Sequence, residues 1–427
     1  MYKRQEPYKP HRPASYLRKT FTAAKGEARL YITAKGLYAV WLNGVRVGNM
    51  VLAPGSFTGN KHLAAQTCDV TQYLLDGKNE LLVALGDGWH RSTGGVDGDR
   101  DLFGDTLGVL FQLEVDGQAV CVSDGSMQAT QCGPIRQNDM QQGEVYDARF
   151  EGNLTGWHGV RAYRDDLPIT GMNTVPILEH EAFPGKLLQT PNGETVLDFG
   201  QNIAGYVEMA LTARAGQKVK LTCGEALDEN GNFYTENLSW AKATDTYILS
   251  GGKQTLHPHF TWHGFRYICV EGLQYGQNVQ FTACHLSTDL AQTGHFTCSD
   301  KRVNRLQQNI QWSQRDNFLD IPTDCPQRSE RLGWTGDVTA FCPTAAFNEN
   351  IMPFMTKWLR DLASELGPDV SMPQVVPNIL GNQQDGAAFW GDVVTVLPWT
   401  LYRAYGDKRI LPVSYTHLRA HETAANL

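Results

Sequence analysis

The hydrophobic period of this 427-residue chain changes near residue 290, and that change limits the folds open to it. Upstream, apolar residues come in short runs separated by Gly, Asn and Asp; Ala28–Thr33, Tyr38–Leu42, Glu80–Leu85 and Leu107–Val115 are examples. Runs of this length at regular spacing read as antiparallel strands. Asn43-Gly44 and Asp116-Gly117 each separate two such runs. They are hairpin signals, because the favoured two-residue turn needs positive φ at both central positions. Residues 6–178 therefore read as one antiparallel β-sandwich and residues 179–290 as a second. In the second, Thr195–Phe199, Tyr206–Leu211, Lys218–Thr222, Thr244–Leu249 and Tyr267–Val270 read as separate strands, punctuated by Gly205, Gly216 and Gly251-Gly252.

Downstream the spacing is helical. Ser299-Asp300 can cap a helix that carries Val303, Leu306 and Ile310 on one face. Phe354, Trp358 and Leu362 recur every fourth residue, and Val394, Leu397, Leu401 and Tyr405 line another face that stops at Gly406-Asp407. Between these helices lies Asp324-Cys-Pro-Gln-Arg-Ser-Glu-Arg-Leu-Gly-Trp-Thr-Gly-Asp337, which packs three carboxylates, two guanidinium groups and an indole into fourteen residues. Pro326 disfavours helical angles at Cys325, and Gly333 and Gly336 weaken any helix across them, so the segment reads as a shaped loop. A glycosidase needs this inventory: one carboxyl to protonate the leaving oxygen, others to hold hydroxyls, and a ring to cover the apolar face of a sugar. A structural Arg–carboxylate knot at a helix junction accounts for the same composition.

The segment resembles the signature of bacterial α-L-rhamnosidases of glycoside hydrolase family 78, with one departure: Ser329 stands where the family usually has Asp. The resemblance implies that Glu330 is the general acid and that Asp324, Arg328, Trp334 and Asp337 hold the rhamnose. Ala388-Phe-Trp-Gly-Asp392 resembles a second family motif, which implies that Trp390 and Asp392 line the same pocket; a plain core aromatic is the other reading of Trp390. Asp87-Gly-Trp89 and Gly143–Arg149 resemble the family's N-terminal β-domain. Phe199–Asn202 and Phe260–Tyr267 resemble its concanavalin-like domain. The implied fold is two β-sandwiches followed by the start of a six-hairpin (α/α)6 toroid at residues 291–411, about four of its twelve helices at ordinary helix lengths.

The implied reaction is inverting hydrolysis of terminal, non-reducing α-L-rhamnose from a glycoside or oligosaccharide, with the family's general base lying beyond Leu411. The chain alone would then lack half of its catalytic pair and leave helix faces lined by Trp358, Leu401 and Tyr405 uncovered. A different glycosidase on the same barrel, or a carbohydrate-binding β-module without catalysis, are the competing readings.

Composition bounds the rest. A net charge of −8 without a basic block gives no reason to expect a nucleic-acid or anionic-membrane partner. No apolar run reaches the length of a membrane span and no charged-then-apolar leader opens the chain, which points to the cytoplasm. Nine Cys without a CxxC pair read as reduced and mostly buried, and neither a metal nor a cofactor is expected. Oligomeric state is not legible. His263, inside an aromatic strand, reads as a hydrogen-bonded structural group, and Asp228–Glu236 as a solvated loop whose spacing is not that of an EF-hand. Residues 1–5 and 412–427 stand apart. Tyr2–Gln5 and Val413–His417 can be encoded by one short DNA sequence read in opposite orientations, as adaptor DNA left on an assembled fragment would be.

Overall fold

The structure is a computed structural model that describes residues 12–366, 372–381 and 386–412. Apart from Pro412, the two end segments read as adaptor-like lie outside the described residues.

Alternation builds the first layer pair. Along Ala28–Lys35, Ala28, Leu30 and Ile32 point inward while Arg29 points out, so one face of the strand is apolar. Six strands form one sheet in the order His158–Gly159, Gln128–Thr130, Ser15–Ala23, Gly77–Gly86, Leu37–Leu42 and Val45–Arg46. Five form the other, in the order Ile169–Gly171, Leu63–Asp69, Ala28–Lys35, Gly108–Val115 and Gln118–Val122. Leu30, Ile32, Val40, Leu81, Val83, Phe111 and Leu113 meet in a single core between them. Both expected hairpins form: Asn43 and Gly44 have φ of 53° and 80°, and Asp116 and Gly117 have 49° and 75°. A short helix, α1 (Gly88–Arg91), follows the strand Gly77–Gly86 and carries Trp89 and His90.

The second β region is built around one strand rather than two. Thr195–Ala213 runs for 19 residues and passes through both stretches that read separately in the sequence. Its first half pairs with Lys186–Gln189 and His263–Glu271; its second half pairs with Val279–Thr288 and Gly252–Leu256. A register shift between Asp198 and Ile203 lets it change partners, with Gly200 at φ 77° inside the irregular stretch. Arg266 grips Asp198 through two 2.8 Å hydrogen bonds at the same place. Ten strands are joined in this way.

Three strands that start before residue 178 belong to this sheet, and Ile135–Gln137 joins it through Val145–Asp147. Val145–Asp147 pairs in parallel with Thr244–Ile248, and Ile177–Pro184 pairs with Val279–Thr288. The two β regions are therefore laced together by backbone. His263 is fully buried and its Nε2 lies 3.1 Å from Asp245 Oδ2, the structural role expected of it. No disulfide links the nine Cys; four are buried and Cys132 and Cys298 are exposed.

Among the described residues four longer helices follow: α2 (Lys301–Asn317), α3 (Thr335–Asn348), α4 (Met352–Glu365) and α5 (Val393–Tyr405). Asp300 caps α2 by accepting the Arg302 N–H at 2.8 Å. Gly406, at φ 75°, ends α5 by returning its N–H to the Tyr402 carbonyl at 2.8 Å. Phe354, Trp358 and Leu362 of α4 and Val394, Leu397 and Leu401 of α5 are buried in one cluster, as their spacing predicts.

Two expectations fail here. Val303 and Leu306 of α2 face solvent, because that helix buries its polar end instead: Asp316 accepts the Ala204 N–H at 2.9 Å and Arg315 bonds Glu181. Trp358 and Leu401 are buried and Tyr405 is partly buried; among the described residues from 291 onward, the exposed large apolar side chains are Phe296, Val303, Leu306, Phe347, Phe389 and Trp399. Among the described residues no helix is long and apolar enough to cross a membrane.

Candidate active site

Helix α2 leads into a two-residue hairpin, Phe318–Leu319 against Ile321–Pro322, with Asp320 at its tip. The motif leaves this hairpin as a loop closed at its neck by Asp324. The Asp324 N–H reaches the Leu332 carbonyl at 3.1 Å, and Asp324 Oδ1 accepts the Leu332 N–H at 2.9 Å. Gly333 then lets the backbone run against Val376, whose N–H bonds the Gly333 carbonyl at 2.9 Å. Gly336 does not break the helix as its sequence position suggests. It sits in the first turn of α3, because the Trp390 indole lies where its side chain would be: a Cβ there would come 2.6 Å from the ring. This contact brings the second motif onto the first.

Two ties hold the loop to the β layers. The Ser329 N–H bonds the Leu238 carbonyl at 3.2 Å. Arg331 is buried, at 5% exposure, and has φ of 54°, a conformation that a bulky residue keeps only where its surroundings impose it. Its Nη1 donates to the carbonyls of Met140 and Trp262 at 2.8 Å each, and its guanidinium lies 4.4 Å from the centre of the Trp262 ring. Burial brings its pKa down to about 10, which leaves it cationic at neutral pH. Backbone of the second β region fits under the loop only because residue 264 is glycine: a Cβ there would meet Gln327 N at 2.8 Å.

The chemistry gathers on the outer side of this loop. Glu330 is partly buried and both of its oxygens are engaged: Oε2 lies 2.8 Å from Arg328 Nη2, and Oε1 accepts the Trp334 indole N–H at 2.9 Å. Arg328 is half exposed and also lies 3.7 Å from Asp324 Oδ2, so its guanidinium sits between the two carboxylates. Burial lifts the Asp324 carboxyl to about 6 and pushes the adjacent Cys325 thiol up to about 12. Ligand atoms of Asp324, Cys325 and Glu330 lie within 4.8 Å of one another. Arg328 already supplies the positive charge between the two carboxylates, which argues against a metal role for the group.

Asp337 is exposed in the first turn of α3. Partial desolvation raises its carboxyl, and the Glu330 charge adds to the effect, so the two acids share a neighbourhood. Trp390 is largely buried over Gly336, and its Nε1 has no hydrogen-bond partner among the described residues. Asp392 lies exposed at the start of α5, and no hydrogen bond or ion pair from its side chain reaches the cluster among the described residues.

Asp324, Arg328, Glu330 and Trp334 are thus in direct contact; Asp337 and Trp390 border them; Asp392 stands apart. Sequence reasoning gave no role to Arg331, Trp262 or Leu238, which hold the loop in place. Nor did it anticipate the first β region reaching the same spot, where Gly94, Gly95, Leu102 and Phe103 line a cavity of about 50 Å³ together with Glu330, Pro377 and Ile379.

Comparison with known families and structures agrees along the chain. Residues 24–184 match the α-L-rhamnosidase N-terminal domain, and residues 188–287 the bacterial α-L-rhamnosidase concanavalin-like domain. Residues 291–424 match the bacterial α-L-rhamnosidase six-hairpin glycosidase domain. An α-L-rhamnosidase of Streptomyces avermitilis is 40% identical over 400 residues, covering 90% of this chain and 39% of that protein. One from Formosa agariphila is 34% identical, covering 97% of this chain and 47% of that protein. The crystal structure of native α-L-rhamnosidase from Aspergillus terreus superimposes with a TM-score of 0.91 at 38% identity, over 98% of this chain and 51% of that one. The Streptomyces avermitilis enzyme complexed with L-rhamnose also gives 0.91 at 38% identity, over 96% and 42% respectively. The chain spans about half the length of these relatives.

Proposed function

The chain belongs to the bacterial α-L-rhamnosidase family, and from that premise we propose that the protein it forms hydrolyses terminal, non-reducing α-L-rhamnose from rhamnosides. The observation that carries this reading is the pairing of Glu330 with Arg328 and Trp334 beside a second, buried carboxylate. It puts a proton donor, a cation, an indole and a hydroxyl acceptor around one point.

In this reading Glu330 protonates the glycosidic oxygen. Arg328 and Trp334, the donors that hold it, turn to rhamnose oxygens when substrate arrives and free an oxygen of Glu330 for the leaving group. Asp324, anchored through Oδ1 to Leu332, keeps Oδ2 for a sugar hydroxyl, and Asp337 takes another. Trp390 lies against the ring with its indole N–H still to be satisfied. Inversion needs a base on the opposite face of the sugar, with the carboxyls about 6.5–9.5 Å apart so that a water fits between them. Asp324 is a poor candidate: it sits within 4.8 Å of Glu330 with a guanidinium against both. The family resemblance puts the base in a segment after Leu411, and in this reading the 427-residue chain alone is expected to bind rhamnose without turning it over.

The test is to assay the chain, and a protein extended through the second half that its relatives possess, on p-nitrophenyl α-L-rhamnoside and on the matching glucoside, galactoside and mannoside. Rhamnoside turnover by the extended protein and none by the chain supports the reading. Preference for another sugar would move the protein to a different glycosidase class. Turnover by the chain alone would place the base among its own residues.

A further inference from the structure

Helix α4 carries a polar stripe that faces the first β region. Lys357, Asp361 and Glu365 follow one another at four-residue intervals, which puts them on one side of the helix. Each reaches the stretch from Ser56 to His62. Lys357 donates to the Ser56 carbonyl, His62 Nε2 lies 3.3 Å from Asp361 Oδ1, and Glu365 Oε1 accepts the Thr58 hydroxyl at 2.8 Å. Lys357 and Asp361 also pair with each other, Nζ lying 3.2 Å from Oδ2. Glu365 has a different second partner: both of its oxygens accept the Asn378 N–H, at 2.9 and 2.8 Å.

That N–H leads back to the loop Asp324–Asp337. Just before Asn378, the backbone of Gln374–Val376 runs beside Gly333–Thr335. The Val376 N–H bonds the Gly333 carbonyl at 2.9 Å, the Thr335 N–H bonds the Gln374 carbonyl at 2.8 Å, and Trp334 and Val375 are bridged between them. Trp334 is the residue this short ladder brackets, and its indole N–H is a donor to Glu330 at 2.9 Å. Helix α4 touches the same segment once more, through the Trp358 indole, which donates to the Val376 carbonyl at 3.2 Å. Glu365 itself stands at the last position of α4, where the free carbonyls of the helix disfavour an anion. Burial lifts its carboxyl to about 7 and Asp361 adds to the rise, while the Asn378 N–H, the Thr58 hydroxyl and Lys61 pull the other way. Helix dipole and burial both oppose an acid here, and its contacts offset them.

From this geometry we propose that Glu365 is a positioning residue for the site at Glu330. It clamps Asn378 between α4 and the first β region, and through Gln374–Val376 it fixes where the Trp334 indole meets Glu330. Any consequence for hydrolysis rests on the reading of Glu330 given above; the clamp does not. A neutral Glu365 still serves, accepting the Asn378 N–H on one oxygen and giving its proton to the Thr58 hydroxyl. Because the folded carboxyl lies above its ordinary value, its contribution to stability is full below pH 4.5 and is lost as pH rises through about 7. The clamp is tighter in acid.

Two measurements on the full 427-residue chain test the proposal: hydrogen exchange of the Thr335, Val376 and Asn378 amides, and the Trp334 indole N–H resonance, assigned with Trp334→Phe. Glu365→Ala should lower protection of these amides about tenfold or more and shift the Trp334 resonance, with the strand amides of Ala28–Lys35 unchanged. Glu365→Gln keeps an acceptor for Asn378 and a donor for Thr58 and is neutral at every pH. It should hold protection within about threefold of the parent at pH 6 and abolish the parent's fall in protection between pH 6 and 8. If Glu365→Ala fails to fold, the pH comparison of Glu365→Gln with the parent decides. The proposal is overturned if protection in Glu365→Ala stays within about threefold of the parent, if the Trp334 resonance does not move, or if Glu365→Gln keeps the parent's pH dependence. None of these readouts uses turnover. Their failure leaves the acid role of Glu330 standing, and an extended protein without rhamnoside turnover would sink that role while these measurements still decide the clamp.

Discussion

Replacing Arg331 by Met should loosen the loop Asp324–Asp337 without touching a group assigned to substrate. The side chain makes two 2.8 Å hydrogen bonds, to the carbonyls of Met140 and Trp262, and stacks on Trp262 at 4.4 Å. Hydrogen bonds to a charged group contribute about 1.5–3 kcal/mol each, and a desolvated cation–π contact about 2. Removing a buried guanidinium also relieves its desolvation, which offsets part of that sum, and Met refills some of the volume. A net local loss of about 3 kcal/mol is the working figure, and at 1.4 kcal/mol per factor of ten it corresponds to roughly a hundredfold.

Because the chain has several domains, a single unfolding free energy is not well defined, and hydrogen exchange is the suitable readout. The N–H groups of Asp324, Ser329 and Leu332 donate within the loop or to Leu238, so their protection reports loop opening. Their exchange should accelerate about 10²-fold in Arg331→Met, while strand amides in Ala28–Lys35 stay unchanged. If loop protection changes less than threefold, Arg331 is not what holds the loop and the reasoning is wrong.

Other consequences follow from the same contacts. Burial raises the folded Asp324 carboxyl to about 6, above its unfolded value near 4, so its contribution to stability is present at pH 4 and lost as pH rises through 6. Asp324→Asn should flatten the pH dependence of loop protection between pH 4 and 7, measured by the same exchange. Gly264→Ala places a methyl 2.8 Å from Gln327 N, where only backbone could yield, and should cost about 1–3 kcal/mol locally, visible as faster exchange of the Asp324, Ser329 and Leu332 amides. Gly336→Ala drives its Cβ into Trp390 and should weaken L-rhamnose binding measured by calorimetry while leaving helix content by circular dichroism intact. Binding equal to that of the parent chain would mean that Trp390 does not line the rhamnose site.

The legible parts of this protein are those that depend on neighbours in sequence. Hairpins at Asn43-Gly44 and Asp116-Gly117, the cap at Asp300 and the stop at Gly406 are set by local backbone preference, and all appear where the residues put them. The helix faces of α4 and α5 could be read for the same reason. Val303 and Leu306 could not, because the face that α2 buries is chosen by Asp316 meeting Ala204, 112 residues away. The strand Thr195–Ala213 read as two because the irregular stretch at Gly200 interrupts its alternation. At the site, the motif delivered Asp324, Arg328, Glu330 and Trp334 as a contact cluster, since all four lie on one short loop. Arg331 went unassigned because its partners, Met140 and Trp262, are 191 and 69 residues distant. Gly336 read as a helix breaker, and only the fold shows that it makes room for Trp390.

The claim at the centre is that Glu330 delivers a proton to the leaving oxygen. Glu330→Gln in the extended protein keeps the shape and both donors, Arg328 and Trp334, while removing the proton. Measuring kcat/KM for a series of rhamnosides whose leaving groups span a wide range of acidity tests it directly. General acid catalysis by Glu330 entails a loss of about 10²–10⁴ for alkyl and sugar aglycones, shrinking toward parity for activated phenols that need little protonation. A loss of the same size across the whole series would contradict it and leave Glu330 as a binding residue.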